Sequence, residues 1–220
     1  MQKSILILSG GLDSTVSAWI AREKTKPVLA LTFDYGQRSA NKEIHSAQQT
    51  ATTLGVPHRV IPLPWLGEIT LNAMVDQKIN FPSLSEAELD NTMLTRESAQ
   101  AVWVPNRNGV FLNVAAAFAE SLGADLLITG FNAEEGMTFP DNSIPFVRAA
   151  DEFFWYSTLR RVKVTSYTLG MSKTEIVKKG RELGVDLHQV WSCYEGGDSP
   201  CRRCESCLRS IRAFREAGVQ

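Results

Sequence analysis

The apolar run Ile5-Leu6-Ile7-Leu8 passes directly into Ser9-Gly10-Gly11-Leu12-Asp13-Ser14 and on into Thr15-Val16-Ser17-Ala18-Trp19-Ile20. Consecutive apolar residues read as a strand buried on both faces, the glycine pair as a tight turn, and the following segment as a helix. A strand buried on both faces needs helices above and below it, so this opening already points to an α/β layer arrangement. The turn also has a chemical meaning. Adjacent glycines let the backbone approach an anion closely, and the helix start aims unpaired N–H groups and the positive end of its dipole at the same point. Ser9, Ser14 and Thr15 add hydroxyl groups, and Leu8, Gly10, Gly11, Leu12 and Asp13 complete a segment expected to hold a nucleotide's phosphates. It is not the commoner phosphate loop, which needs a lysine after its last glycine.

Short apolar runs then alternate with helix-period segments, the signature of βαβ units around a mainly parallel, doubly wound sheet. Residues 28–33 read as a second strand, 41–54 as a helix ending at Gly55, 58–61 as a third strand and 108–122 as a helix. Residues 125–129 and 163–166 read as two more strands. From Pro62 to Val104 the periodicity fails, and this excursion is expected to hold short helices and to build a site or an oligomer contact. A length of 220 residues with 44% hydrophobic content supports burial of about 70% of the unfolded surface. Residues 1–220 are accordingly expected to form a single domain. Twenty-three basic residues against twenty-four acidic ones give no broad electrostatic footprint for nucleic acid. With no charged-then-apolar leader and no apolar run of membrane length, a cytoplasmic protein with no membrane partner is expected.

All four cysteines fall between residues 193 and 207, as Cys193, Cys201, Cys204 and Cys207. Thiolates at this spacing can converge on one tetrahedral ion, so a structural Zn²⁺ loop is expected, with an iron–sulfur cluster as the alternative. Arg202, Arg203 and Arg209 would balance the two negative charges of a zinc tetrathiolate.

Ligands of an open parallel sheet gather beyond the carboxyl ends of its strands. Asp34 ends the second strand and, with Asp13, is a candidate Mg²⁺ ligand or loop-orienting group. Arg107 can fork onto a phosphate or carboxylate, and Lys173, beside a Ser172–Glu175 capping box, can reach an anion as a point charge. Asn106 and Asn132 carry amides able to bond a purine-like edge. Trp191 can wall a planar ligand. Arg38 reads as a solvated loop residue, and His45, His58 and His188 as packed or solvated.

The Ser9–Ser14 loop resembles that of the ATP pyrophosphatases, in which ATP adenylates a substrate oxygen and pyrophosphate leaves. The fold this implies is the Rossmann-like adenine nucleotide α-hydrolase type. Together with Phe33 to Arg38, Val104-Pro105, Arg107-Asn108, Gly130, Asn132 to Glu134, Phe139-Pro140-Asp141, Ser172 to Val177 and Trp191 to Tyr194, the chain resembles the 7-cyano-7-deazaguanine synthase family. The resemblance implies an ATP- and Mg²⁺-dependent ligase of queuosine-precursor biosynthesis that joins 7-carboxy-7-deazaguanine to ammonia and yields the nitrile. It implies a homodimer, catalytic roles for Asp13, Ser14, Arg107 and Lys173, and a deazaguanine pocket near Asp141 and the Cys193 segment. Many members follow the Pro-Asp pair with Cys-Arg, whereas Asn142-Ser143 stands here. Two rivals remain at this level: a tRNA-modifying thiolase of the same superfamily, and a nucleotide sensor without turnover.

Overall fold

The structure, a computed structural model describing residues 1–219, is built on a five-stranded sheet. The strands are β1 (Lys3–Ile7), β2 (Lys26–Asp34), β3 (His58–Pro62), β4 (Leu126–Thr129) and β5 (Lys163–Ser166), all parallel in the order β3-β2-β1-β4-β5. Side chains alternate across a strand, and the apolar runs use both faces. Ile5, Leu31, Phe33 and Leu127 enter one layer of core. Their neighbours Leu6, Leu8, Ala30 and Ile128 enter the other.

On the first face lie α5 (Arg107–Leu122) and α6 (Ile144–Ser157), which contribute Leu112, Ala115, Ala119, Val147 and Phe154. On the second lie α1 (Leu12–Lys24) and α2 (Ala40–Leu54) through Ala18, Ala21, Ala47 and Ala51. The many alanines let helix backbones sit close to the sheet. A third cluster joins Val16 and Ile20 of α1 to Ile176 and Val177 of α7 (Lys173–Glu182) and to Ala213 of α8 (Glu205–Glu216).

The excursion after β3 carries α3 (Pro64–Glu68), a 3₁₀ turn at Glu86–Asp90 and α4 (Thr92–Ala101), with no strand of its own. It is tied down at two places. Arg38 donates to the carbonyls of Asp76 (2.5 Å) and Ile79 (2.6 Å) and stacks on Phe81, its guanidinium carbon 4.8 Å from the ring centre. The expectation of a solvated Arg38 is therefore corrected: carbonyls left free by an irregular segment recruit the guanidinium. From α8, Arg212 pairs with Asp90 at 2.8 Å and Arg215 with Glu86.

Helix α6 escapes the periodicity reading because Ile144, Phe153, Trp155 and Tyr156 are exposed beside its buried Phe154. No helix among the described residues is long and apolar enough to cross a membrane.

Candidate active site

The order β3-β2-β1-β4-β5 reverses direction between β1 and β4, and a crevice opens beyond the carboxyl ends of those strands. Its floor is the turn after β1. Gly10 has φ +74° and packs so tightly on α2 that a Cβ would collide with the Glu43 carbonyl. The Gly10 carbonyl accepts from Ser46 Oγ at 2.7 Å and from the Trp191 N–H at 2.8 Å. Ser9 and Ser14 hydroxyls bond each other at 3.0 Å, and Ser14 Oγ also accepts the Ser9 N–H at 3.2 Å. No side chain caps α1, so its first N–H groups stay open toward the crevice. Gly130 lets β4 press on this point, since a Cβ there would strike the Ser14 backbone nitrogen. Ser17 Oγ, donating to the Thr129 carbonyl at 2.6 Å, locks the same approach one turn later.

Lys173 enters from the first turn of α7. Its side chain is 4% exposed, and Nζ lies 2.7 Å from Asp13 Oδ2 and 2.9 Å from Glu135 Oε1. Burial works against the ammonium, yet the two carboxylates hold the Lys173 pKa above its usual value. Burial raises the Asp13 carboxyl from 3.8 to about 6 against the pull of Lys173, and Asp13 Oδ1 has no hydrogen-bond partner among the described residues. Glu135 is more exposed than Asp13, and against the pull of burial Lys173 and Asn132 hold its carboxyl below the usual value.

On the opposite wall Arg107 Nη1 donates to the Tyr35 hydroxyl at 3.3 Å. Asp141 and Tyr194 stand close enough to sustain the guanidinium's charge despite its burial. Burial raises the Asp141 carboxyl, with Arg107 opposing. Phe33 and Phe111 stack at 4.1 Å and 9° beside them, a flat apolar surface at the edge of the charged cluster. The crevice has a volume of ≈ 200 Å³ and is open to solvent.

Of the residues singled out from sequence, Leu8, Ser9, Gly11, Asp13, Ser14, Arg107, Lys173 and Trp191 line this crevice. Gly10, Leu12 and Thr15 form the layer behind the loop. Three others are placed differently from expectation. Asp34 Oδ1 accepts the Gly36 N–H at 3.0 Å, fixing its own turn off the crevice wall. Asn132 is fully buried, with Oδ1 accepting the Glu135 N–H at 2.9 Å, so its amide braces that carboxylate's loop. Asp141 sits behind Arg107 and presents its backbone carbonyl to Asn108 Nδ2 at 3.2 Å. Glu43, which sequence reasoning passed over, also lines the crevice. It is held by Gln37 Nε2 (2.9 Å) and Ser39 Oγ (2.5 Å), and burial raises its carboxyl. A glutamate in a first helical turn reads as an ordinary dipole partner, so no pattern marks it.

Next to Trp191 the four cysteine Sγ atoms lie within 4.8 Å of one another, with Cys201 and Cys207 3.9 Å apart. A zinc–sulfur bond of about 2.3 Å puts tetrahedral sulfurs about 3.8 Å apart, so this donor set fits Zn²⁺. Backbone N–H groups of Glu195 and Cys201 point at Cys193 Sγ, and that of Cys204 at Cys201 Sγ, each at 3.3 Å. Thiol bonds from Cys204 and Cys207 drive the Cys193 pKa down while those two thiols are driven up. Such crowding suits thiolates converging on a cation. Arg209 is not among the groups serving the sulfurs: it pairs with Glu205 at 2.8 Å and Glu134 at 3.3 Å. Arg203 pairs with Glu195 at 2.9 Å.

A family model described as "Queuosine biosynthesis protein QueC" matches residues 3–218. A 7-cyano-7-deazaguanine synthase from Pelotomaculum thermopropionicum is 53% identical over 218 residues, covering 99% of each chain. One from Bdellovibrio bacteriovorus is 48% identical over 219 residues, covering 99% of this chain and 95% of its own. Among solved structures, the NMN synthetase of Francisella tularensis shares the fold, with a TM-score of 0.50 at 14% identity over 99% of this chain and 84% of that one. The family match spans nearly the whole chain, the phosphate turn, the Lys173 helix and the cysteine cluster included, and the chain belongs to the family of the queuosine biosynthesis protein QueC.

Proposed function

We propose that the chain is an ATP-dependent ligase that converts 7-carboxy-7-deazaguanine and ammonia to 7-cyano-7-deazaguanine. The observation that carries this reading is a single crevice in which an anion-binding turn faces a buried lysine and arginine beside a flat aromatic wall. The carboxylate oxygen attacks the α-phosphorus of ATP, and pyrophosphate leaves from the Ser9–Thr15 turn. Ammonia then attacks the activated carbon, loses a proton and expels AMP, giving the amide. The amide oxygen attacks a second ATP with loss of pyrophosphate and one N–H proton, and departure of the second AMP with the remaining N–H proton leaves the nitrile. Hydroxide is a poor leaving group, and each adenylation replaces it with a better one.

Ser9, Gly11 and Ser14 bind phosphate oxygens in this scheme. Lys173 and Arg107 bear the charge that grows on departing pyrophosphate, which fixed cations in a closed site stabilise most strongly. Asp13 Oδ1 is the ligand we assign to the Mg²⁺ that accompanies ATP and offsets its charge. Zn²⁺ on the four cysteines is structural, because a closed tetrathiolate leaves no position for reacting groups. We assign Trp191 and the Phe33–Phe111 wall to the planar rings of nucleotide and substrate. The chain works as one ATP pyrophosphatase-type domain, as a cytoplasmic homodimer, on small molecules and without nucleic acid.

The test is mass spectrometry of a reaction holding the purified protein, 7-carboxy-7-deazaguanine, ATP, Mg²⁺ and ammonium. Nitrile with two AMP per product, one for each C–O bond broken, is expected. AMP without nitrile would keep the adenylation and reopen the substrate. Neither product from folded, zinc-loaded protein would leave a nucleotide sensor.

A further inference from the structure

Arg209 lies outside the crevice, yet it connects the cysteine-bearing end of the chain to Lys173. Cys204 caps α8 and Cys207 lies in its first turn; Glu205 and Arg209 stand one turn apart on the same helix. Arg209 is 8% exposed. Its Nε and Nη2 lie 2.9 and 2.8 Å from Glu205 Oε1, and its Nη1 donates to Glu134 Oε2 at 3.3 Å. The other oxygen of Glu134 accepts the Lys173 backbone N–H at 2.7 Å. Glu134 is thus clamped between a buried guanidinium and the first backbone N–H of α7, where the helix dipole favours a carboxylate. The next residue, Glu135, takes the Lys173 ammonium at 2.9 Å. Adjacent carboxylates therefore grip the backbone and the side chain of one lysine.

We infer that Arg209 is a positioning residue: through Glu134 it fixes the start of α7, and so sets Lys173 Nζ against Asp13 inside the crevice. The argument is one of compensation. Remove the guanidinium and Glu134 becomes a largely buried charge facing mainly a helix end, with Arg212 at 3.8 Å as its nearest remaining cation. Such a charge turns toward water or takes a proton, and either change loosens its hold on Lys173. Because Glu205 and Arg209 interleave with Cys204 and Cys207, the metal-bearing turn and the lysine become parts of one device. The role of Lys173 in pyrophosphate departure rests on the ligase reading; its placement by Arg209 does not.

The test uses the full-length, zinc-loaded chain with Arg209→Gln, Arg209→Lys and Glu134→Gln. Acetic anhydride labelling without ATP, mapped by mass spectrometry, reports how far Lys173 is released. Arg209→Gln is expected to retain zinc and to raise Lys173 labelling at least about tenfold over the other lysines, as a buried ammonium loses its carboxylate partners. Its kcat is expected to fall with little change in KM for ATP. Glu134→Gln should behave alike, the double variant should be no worse than either single one, and Arg209→Lys should recover part of the loss. Unchanged Lys173 labelling in zinc-loaded Arg209→Gln overturns the inference, as does an equal rise at every lysine, which would mean general loosening. If the wild type makes no nitrile, the ligase reading fails while the labelling still decides the placement.

Discussion

Asp13 and Lys173 are 160 residues apart in sequence and 2.7 Å apart in space, and their protonation is one problem rather than two. Burial lifts the Asp13 carboxyl from 3.8 to about 6, and Lys173 keeps it from rising further. A carboxyl raised in this way costs the fold stability as pH climbs from 3.8 to about 6, so it does not drive acid unfolding. Catalysis has the opposite sign, because only the ionised form can serve a metal–phosphate complex. Turnover is expected to fall as pH drops through about 6, and Lys173→Met should move that limb to higher pH by removing the ammonium that opposes burial. A kcat/KM profile for ATP that stays flat through that region, or a limb unmoved in the variant, would take Asp13 out of this role. Ser14→Ala removes the hydroxyl that joins Ser9 to the Gly11 carbonyl. We expect kcat to fall by about 10²-fold or more with the fold intact, as for loss of one preorganised donor; single-turnover AMP formation checks it.

At the scale of elements, the β4–α1 contact sets the position of the whole phosphate turn. Gly130→Ala would drive a methyl group into the Ser14 backbone nitrogen, and backbone has no side-chain freedom with which to yield. A cost of about 1–3 kcal/mol is expected, read as a lower denaturant midpoint together with weaker ATP binding; an unchanged midpoint would show that the approach is looser than the structure has it. Strands β1, β2 and β4 were legible in sequence because their apolar runs fill two core layers, as Ile5 and Leu6 do on opposite faces. The capping box at Ser172 and Glu175 was legible for the same kind of reason, since its bonds are local and its spacing fixed. Helix α6 was hidden because apolar residues lie on its exposed side as well. Glu43, Glu135 and Arg209 take their meaning from groups on other elements, which no local spacing encodes. Asn132 has two readings from sequence, a ligand amide or a turn residue, and its Oδ1 does brace the Glu135 turn while its buried Nδ2 has no partner among the described residues.

For the molecule as a whole, the cysteine cluster is where a readable motif has consequences beyond its own span. Its spacing announced a metal loop, but not that the helix it starts would fasten three distant segments. Helix α8 holds Glu86 and Asp90 of the excursion through Arg215 and Arg212, Glu134 through Arg209, and Glu216 accepts from Thr174 of α7 at 2.8 Å. None of these contacts belongs to the strand core of Ile5, Leu31 and Leu127. Metal binding to thiolates contributes directly to folding free energy, so removing the ion should release α8 first. Cys204→Ser, or a strong chelator, is therefore expected to lose zinc and lower the Tm. Amide hydrogen exchange should accelerate in α8 and around Glu86–Asp90 well before it does in β1, β2 and β4. Exchange that rises in the sheet and in α8 together would mean that the metal supports the fold globally, and unchanged exchange after complete zinc loss would show that the ion-pair network holds α8 without it.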